Sequence, residues 1–274
     1  MTLLRRRLLA ALGASLLAAP VVHAAEPAAD DERWLDIRRA LFADRPISED
    51  ARGVIELDAP VRAADAAVVP VAIRTAFVQT PARYIRKVWL VIDKNPSPVG
   101  AIFHFTPDSG RAEIETRVRI EEYSQVRAVA EFNDGQLVMH TRYVKASGGC
   151  SAPAGKDLAE ALASLGKMKL RVEGEVLAGQ PALAQLMVSH PNVSGLAIDQ
   201  LTRLAPKPHF VRRIEVRYAD KPVLEAEVDF TISENPVVRF WFVPVGAGEL
   251  RATVLDSENL KFETALAVQP KTGA

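Results

Sequence analysis

The chain has 274 residues, of which 49% are hydrophobic and 25% are charged, with 34 acidic and 34 basic side chains. This is the composition of a globular protein, and a formal charge of zero gives no electrostatic footprint for nucleic acid. A single cysteine excludes an intrachain disulfide framework, a Cys-rich zinc site and an iron–sulfur cluster.

Residues 1–24 have the pattern of a cleaved signal peptide. Arg5, Arg6 and Arg7 precede an apolar run that is too short to cross a bilayer, and small residues before Ala25 suit a signal peptidase. The Arg-Arg-Arg-Leu-Leu stretch also resembles a twin-arginine signal. We therefore expect a periplasmic protein, exported by the Sec or twin-arginine route, with 31 basic and 34 acidic side chains after cleavage.

The next segment predicts a short helix followed by a β-domain. Trp34, Ile37, Leu41 and Phe42 have helical spacing, so we expect this helix to cap the domain that follows. From residue 50 to 147, roughly seven short runs alternate apolar and polar residues with turn signals between them, which predicts an antiparallel β-sandwich.

A Gly/Ala-rich segment then separates this domain from a second strand-rich region. Residues 148–182 are predicted to form an arm and a linker, with a short helix over 156–167, and residues 183–268 a second sandwich. Residues 84–88 resemble 210–214, and residues 126–129 resemble 250–253, at nearly constant offsets. The fold class predicted is therefore all-β, with two related immunoglobulin-like sandwiches.

The only thiol lies on the predicted arm, in Gly148-Gly149-Cys150. A lone cysteine is most often a small buried hydrophobe. Here the adjacent residues offer no large apolar side chain, so we expect an exposed, functional thiol on a thin backbone. No histidine lies within nine residues to activate it, so the sequence favours a carrier thiol over an enzyme nucleophile.

The other motifs argue against bound cofactors. No His-x-x-x-His or Cys-x-x-Cys pair supports a metal site, and no P-loop, G-x-S-x-G or dinucleotide-binding motif is present. His104 and His140 lie within strand patterns and are interpreted as structural residues. We therefore expect no metal, no cofactor and no nucleic-acid partner.

Several stretches resemble the sulfur-carrier proteins SoxY and SoxZ, here in one chain. The first half resembles SoxY through the stretches 95–99, 103–105, 116–120, 124–131 and above all 148–150. The second half resembles SoxZ through 189–191, 208–211 and 233–236. Among fused carriers, the chain is most similar to the SoxYZ-like group named for its association with quinoprotein dehydrogenases.

The resemblance implies a function and a site. Cys150 would be the covalent attachment site for a sulfur intermediate, such as a thiosulfate-derived adduct, and Gly148 and Gly149 would form the carrier arm. The protein would not itself be an enzyme, and its partners would be periplasmic oxidoreductases of the Sox type or a quinoprotein (PQQ) dehydrogenase system. An exposed thiol would also permit a disulfide dimer through Cys150.

One departure from the family and two alternatives complete the prediction. In SoxY the motif lies at the C-terminus, whereas here Ser151-Ala152-Pro153 and more than a hundred further residues follow it. One alternative is a non-catalytic module that docks or stabilises a quinoprotein dehydrogenase, with the thiol incidental. The other, a metallochaperone or thiol–disulfide enzyme, has little support from a single cysteine.

Overall fold

The computed structural model describes residues 32–153, 158–198 and 202–272; the predicted signal peptide, residues 1–24, lies outside these ranges. Two α-helices are described, α1 (Glu32–Phe42) and α2 (Leu158–Ala163). The strands are β1 (Ile47–Ser48), β2 (Ile55–Asp58), β3 (Val69–Thr75), β4 (Ile85–Ile92), β5 (Val99–Phe105), β6 (Ile114–Val118), β7 (Ser124–Phe132), β8 (Leu137–Val144), β9 (Met168–Glu173), β10 (Ala182–Val188), β11 (Val211–Tyr218), β12 (Lys221–Val228), β13 (Val237–Phe242), β14 (Gly248–Asp256) and β15 (Lys261–Val268).

These strands form two sheets that enclose one continuous apolar core. The nine-stranded sheet has the order β1-β8-β7-β4-β5-β12-β11-β14-β15, and the six-stranded sheet has the order β2-β3-β6-β13-β10-β9. Apolar side chains from both sheets meet between the layers, as in immunoglobulin-like sandwiches. The predicted all-β, two-sandwich fold class is confirmed.

Burial along the strands follows the sequence pattern. In β6 every second residue is buried, because one face packs on the core and the other faces outwards. In β7 the outward face is buried too, since α1 covers it. Trp34 and Phe42 of α1 pack on Trp89 and Met139 in a second, smaller core, so the predicted capping helix is confirmed.

The two halves of the chain share both sheets. Strand β5 pairs antiparallel with β12, and β6 pairs antiparallel with β13. Outwards from this junction the order is the same on each side, with β4, β7 and β8 matching β11, β14 and β15. The internal resemblance in the sequence falls on these matched strands, so the halves are related by an approximate two-fold arrangement.

The predicted linker needs a correction. Residues 168–173, placed in the linker by the sequence analysis, form β9 and pair with β10 at the edge of the six-stranded sheet. The helix within the predicted 156–167 is described only over Leu158–Ala163. The alanines and leucines of this segment favour a helix, whereas the residues that follow it pair with the edge of the six-stranded sheet.

Candidate functional site around Cys150

The segment after β8 runs along the backbone that follows β6. The Gly148 amide donates a hydrogen bond to the carbonyl of Glu121 (2.8 Å), and the Gly149 amide donates to the carbonyl of Ile120 (2.9 Å). We call residues 148–151 the arm. We call the surface that they cover the dock; it includes Ala66, Ile120, Glu121 and Ser194. In this structure the arm lies in the dock.

Glycine is favoured at both arm positions, for different reasons. A Cβ atom on Gly149 would lie 2.0 Å from the Ala66 carbonyl oxygen and 2.8 Å from the Ile120 amide nitrogen, far inside van der Waals contact. Gly148 has open space around it but a φ of +80°, which L-residues rarely adopt. The Gly-Gly pair therefore lets this arm lie flat against the dock.

The exposure predicted for Cys150 is wrong in this state, because the residue has 0% of its surface exposed. The sequence argument considered only adjacent residues, whereas the dock that covers the thiol comes from residues far along the chain. Burial raises the pKa of the Cys150 thiol to about 12, and the negative charges of Glu121 and Asp229 add to it while Arg119 opposes it. The docked thiol is therefore protonated and a poor nucleophile.

Glu121 is the main polar contact of the arm. One carboxylate oxygen accepts hydrogen bonds from the amides of Cys150 (2.8 Å) and Ser151 (3.1 Å), and the other accepts from the Ser151 hydroxyl (2.8 Å). Asn95, fully buried, accepts from the Glu121 amide (2.9 Å) and donates to the Arg119 carbonyl (2.8 Å). Asn95 thus fixes the backbone that presents Glu121 to the arm.

The second half of the chain completes the dock. The Ser194 hydroxyl donates a hydrogen bond to the Cys150 carbonyl at 2.6 Å. Arg119, 6% exposed, donates through Nη1 to the carbonyls of Asn192 and Phe230, both at 2.7 Å. Burial lowers the pKa of Arg119. Both halves of the chain therefore hold the arm.

An open cleft adjoins the arm, with a volume of about 630 Å³. Arg119, Ser151 and Pro153 line one part of it, and residues within 191–198 and 202–206, among them Ser194 and Leu204, line the rest. Cys150 is not among its lining residues. The buried thiol therefore does not open onto this cleft while the arm is docked.

A cluster in the second half contains His190, His209 and Asp256, with donor atoms within 4.8 Å of one another. Nε2 of His209 lies 2.7 Å from the Asp256 carboxylate. Nε2 of His190 lies 3.6 Å from it and has no hydrogen-bond partner among the residues that the structure describes. Nδ1 of His190 accepts a hydrogen bond from the Asn192 amide (3.0 Å), and burial lowers the pKa of His190 to about 4. Its one proton therefore lies on Nε2, where a metal ion would need a lone pair.

The remaining sequence candidates lie away from the arm's contacts. Nδ1 of His140 accepts a hydrogen bond from the Leu57 amide (3.0 Å), and Nε2 of His104 lies 2.9 Å from a Glu227 carboxylate oxygen across the β5–β12 junction. Sequence reasoning missed Arg119, Glu121 and Ser194. Arg119 follows the alternating pattern of β6, but no local signal marks a residue as part of a dock.

Comparisons with known proteins identify the two halves. The family model described as "Sulfur oxidation protein SoxY" matches residues 38–150, and that described as "Sulphur oxidation protein SoxZ" matches residues 170–267. The SoxY match ends at the thiol itself. The class of protein that these matches define is that of sulfur-oxidation proteins, with two of their families represented one after the other in a single chain. The chain is a SoxYZ-like protein, in which a SoxY domain and a SoxZ domain are fused.

Two solved structures are similar to part of the first half of the chain. The sulfur carrier protein SoxY from Chlorobium limicola f thiosulfatophilum is 26% identical, and the match covers 42% of this chain and 91% of that chain, with a TM-score of 0.35. A superoxide reductase (neelaredoxin) from Ignicoccus hospitalis is 16% identical over 37% of this chain and 94% of its own, with a TM-score of 0.33. TM-scores this low carry no argument of their own. No curated protein matched the sequence.

Within the described ranges, no helix combines the length and the apolar character that crossing a membrane requires.

Proposed function

We propose that this protein carries a sulfur intermediate bound covalently to Cys150 and presents it to partner enzymes in the periplasm. The observation that carries the proposal is the position of the sole thiol. It is the last residue of the SoxY match, on a Gly-Gly arm held between the SoxY and SoxZ domains. Gly148 and Gly149 serve as the thin part of the arm.

Loading requires that the arm leave the dock. A thiol with a pKa of about 12 is almost entirely protonated at neutral pH, and the thiolate is the form that attacks sulfur. Once released, the Cys150 thiolate can attack a sulfur–sulfur bond, forming a new disulfide-type bond while the other sulfur leaves as its anion. Loading with thiosulfate itself gives Cys–S–S–SO₃⁻ and one proton, and the partner oxidoreductase accepts two electrons.

The setting is inferred from the N-terminal sequence and from the family. The basic and apolar pattern of residues 1–24 supports export to the periplasm. The partners would then be oxidoreductases of the Sox type, or those of a quinoprotein dehydrogenase system, as the resemblance to the fused group named for such dehydrogenases suggests. The protein holds the cargo and needs no cofactor of its own, because the partner supplies the redox chemistry.

The decisive measurement is the intact mass of the protein purified from its native periplasm without reductant. We expect a mass increase of a sulfane sulfur or a thiosulfate-derived group, removed by reductant and absent from the Cys150→Ser variant. Free thiol alone, together with normal growth of Cys150→Ser cells on every sulfur substrate tested, would contradict the proposal.

A second candidate function is favoured by the burial of the thiol. A cysteine that is fully buried and protonated is what a module without thiol chemistry would have. In that case the protein would dock or stabilise a quinoprotein dehydrogenase. Its complex with the dehydrogenase would then survive Cys150→Ser unchanged, and no adduct would be found.

A further inference from the structure

We propose that strand β15 is a dimerisation edge: two copies of the chain pair their β15 strands antiparallel about a two-fold axis, which makes their nine-stranded sheets continuous. Strand β15 forms one end of that sheet, whereas β8, which leads into the arm, lies near the other end. The contact is non-covalent and depends neither on the cargo of Cys150 nor on a disulfide through that thiol.

The first observation is that β15 is paired on one side only. Its residues Lys261–Val268 pair antiparallel with β14. Within the described ranges, no backbone hydrogen bond reaches these residues from any other segment, although β9 of the other sheet approaches them. An edge strand directs the amide and carbonyl groups of alternate residues outwards, and these groups form a template for a further strand.

The first half of the chain protects its own edges. At β8, which matches β15 in the strand order, β1 pairs with Leu137 and Val138, and β1 itself has only two residues. At β2, Nδ1 of His140 accepts a hydrogen bond from the Leu57 amide (3.0 Å), and Nε of Arg142 donates to the Leu57 carbonyl (3.2 Å). Short strands and backbone groups that are already bonded discourage edge pairing, and β15 has neither protection.

The exposed side chains distinguish β15 from β9, the remaining edge. Strand β9 exposes Lys169 and Arg171, so two copies paired there would bring cations together. Strand β15 exposes one cation, one anion and two small apolar residues: Lys261, Glu263, Ala265 and Ala267. The β15 edge can therefore lie against a second copy of itself without opposing like charges.

The alternation of faces limits the register of the pair. Phe262, Thr264 and Leu266 are half-buried on the inner face, and the residues between them are exposed on the outer face. Directly opposite residues in a sheet point to the same face, so inner residues must oppose inner residues. A two-fold axis at Thr264 satisfies this condition and pairs residues 261–267 of both copies.

The end of β15 favours this register over one shifted towards Val268. Just beyond Val268, the Lys271 amide donates a hydrogen bond to the Val176 carbonyl, and the Lys271 carbonyl accepts one from the Ala178 amide, both at 2.9 Å. That end of the edge is thus covered by the chain itself. With the axis at Thr264, Glu263 lies opposite Ala265 of the second copy. The same contact occurs twice, as in any isologous dimer.

The first test measures the mass of the mature protein by sedimentation equilibrium, with a reductant present to prevent disulfide dimers. A contact between two strands is smaller than a standard interface of about 1,600 Å², so a concentration range of about 5–500 µM suits the weak dimer expected. The average mass should rise from that of one chain towards that of two. A single-chain mass across the whole range would overturn the proposal.

The second test reverses one charge at the contact. Ala265→Glu places a carboxylate opposite Glu263 of the second copy, twice per dimer, and should raise the dissociation constant at least about tenfold. Ala265→Lys, the matched control at the same site, places an ammonium group there and should bind as tightly as wild type or more tightly. Equal weakening by both variants would overturn the register.

The fold of each chain responds to these variants in the opposite sense. Residue 265 lies opposite Arg251 of β14, so glutamate suits the monomer better than lysine does. Weaker dimerisation of Ala265→Glu alone therefore cannot come from a damaged fold.

The third test locates the contact by hydrogen exchange at single amides of residues 261–267, in dilute and in concentrated protein. Amides that point away from β14 should exchange rapidly when dilute and become protected when concentrated, whereas those bonded to β14 should be protected in both. A dimer that leaves the β15 amides unchanged would overturn the proposal, because its interface would lie elsewhere.

Discussion

Replacing Gly149 with alanine is the sharpest perturbation of the docked arm. The added Cβ would lie 2.0 Å from the Ala66 carbonyl oxygen and 2.6 Å from its carbonyl carbon. Both atoms belong to backbone that cannot rotate away, and the Ala66 oxygen already accepts a hydrogen bond from the Ile120 amide (2.9 Å). The docked arm cannot accommodate this substitution, so we expect the arm of the Gly149→Ala variant to leave the dock.

The magnitude follows from the pKa of the thiol. Release returns Cys150 from a pKa of about 12 towards 9.0, which raises the thiolate fraction at pH 8 by up to about a thousandfold. The lost arm contacts each contribute about 1 kcal/mol, and they involve the arm and not the sandwich. We therefore expect the urea unfolding of the β-core to retain its cooperativity.

The assay is the second-order rate of reaction with DTNB under native conditions. Gly148→Ala is the graded comparison, because it has open space but a φ of +80°, which costs about 1–2 kcal/mol in an L-residue. Its rate should rise about 5- to 30-fold, well below that of Gly149→Ala. The reasoning is refuted if Gly149→Ala reacts as slowly as wild type while circular dichroism shows a native fold.

Three further predictions concern the dock and the core. Ser194→Ala removes one hydrogen bond to the arm and should speed the DTNB reaction about fivefold, for a loss of about 1 kcal/mol; an unchanged rate would mean that the second half does not hold the arm. Asp93→Asn leaves the fully buried Arg127 without its bidentate carboxylate (2.9–3.0 Å) and should lower the free energy of unfolding in urea by about 3–5 kcal/mol, whereas a loss below 1 kcal/mol would contradict this. The pKa of His190 is lowered from 6.5 to about 4. Between these pH values the side chain is protonated in the unfolded chain and neutral in the folded chain. Stability should fall by about 3 kcal/mol from pH 6.5 to 4 and be unaffected by this group above that window, and His190→Gln should remove that share of the slope.

Much of the fold could be predicted from the sequence because its signals are local. Alternation of apolar and polar residues marked the strands, as in β6, and helical spacing of Trp34 and Phe42 marked α1. Strand β9 was missed because it is a short edge strand with mixed burial, next to a sequence that favours a helix. Which strands pair across the two halves depends on long-range packing, which periodicity does not record.

The candidate site could be predicted only in part. The motif Gly148-Gly149-Cys150 is contiguous and therefore visible, and it also signals the family. Exposure of the thiol was predicted from its neighbours in sequence, but burial depends on neighbours in space. Glu121 lies 29 residues before Cys150 and Ser194 lies 44 residues after it, so neither has a local pattern that points to the arm.

The position of the arm in the middle of the chain also limits where cargo can be delivered. The arm follows β8, and the chain continues beyond it to β9 in the second half. In this fused chain the arm is therefore attached to the folded domains at both of its ends. On the β8 side, the Lys145 amide is fixed to the Val61 carbonyl (2.9 Å), five residues before the thiol. At about 3.4 Å per extended residue, the reactive sulfur of any partner must come within roughly 17–20 Å of Lys145. A partner therefore has to present its acceptor atom near its own surface, or it has to bind the arm, attached at both ends, in an open groove.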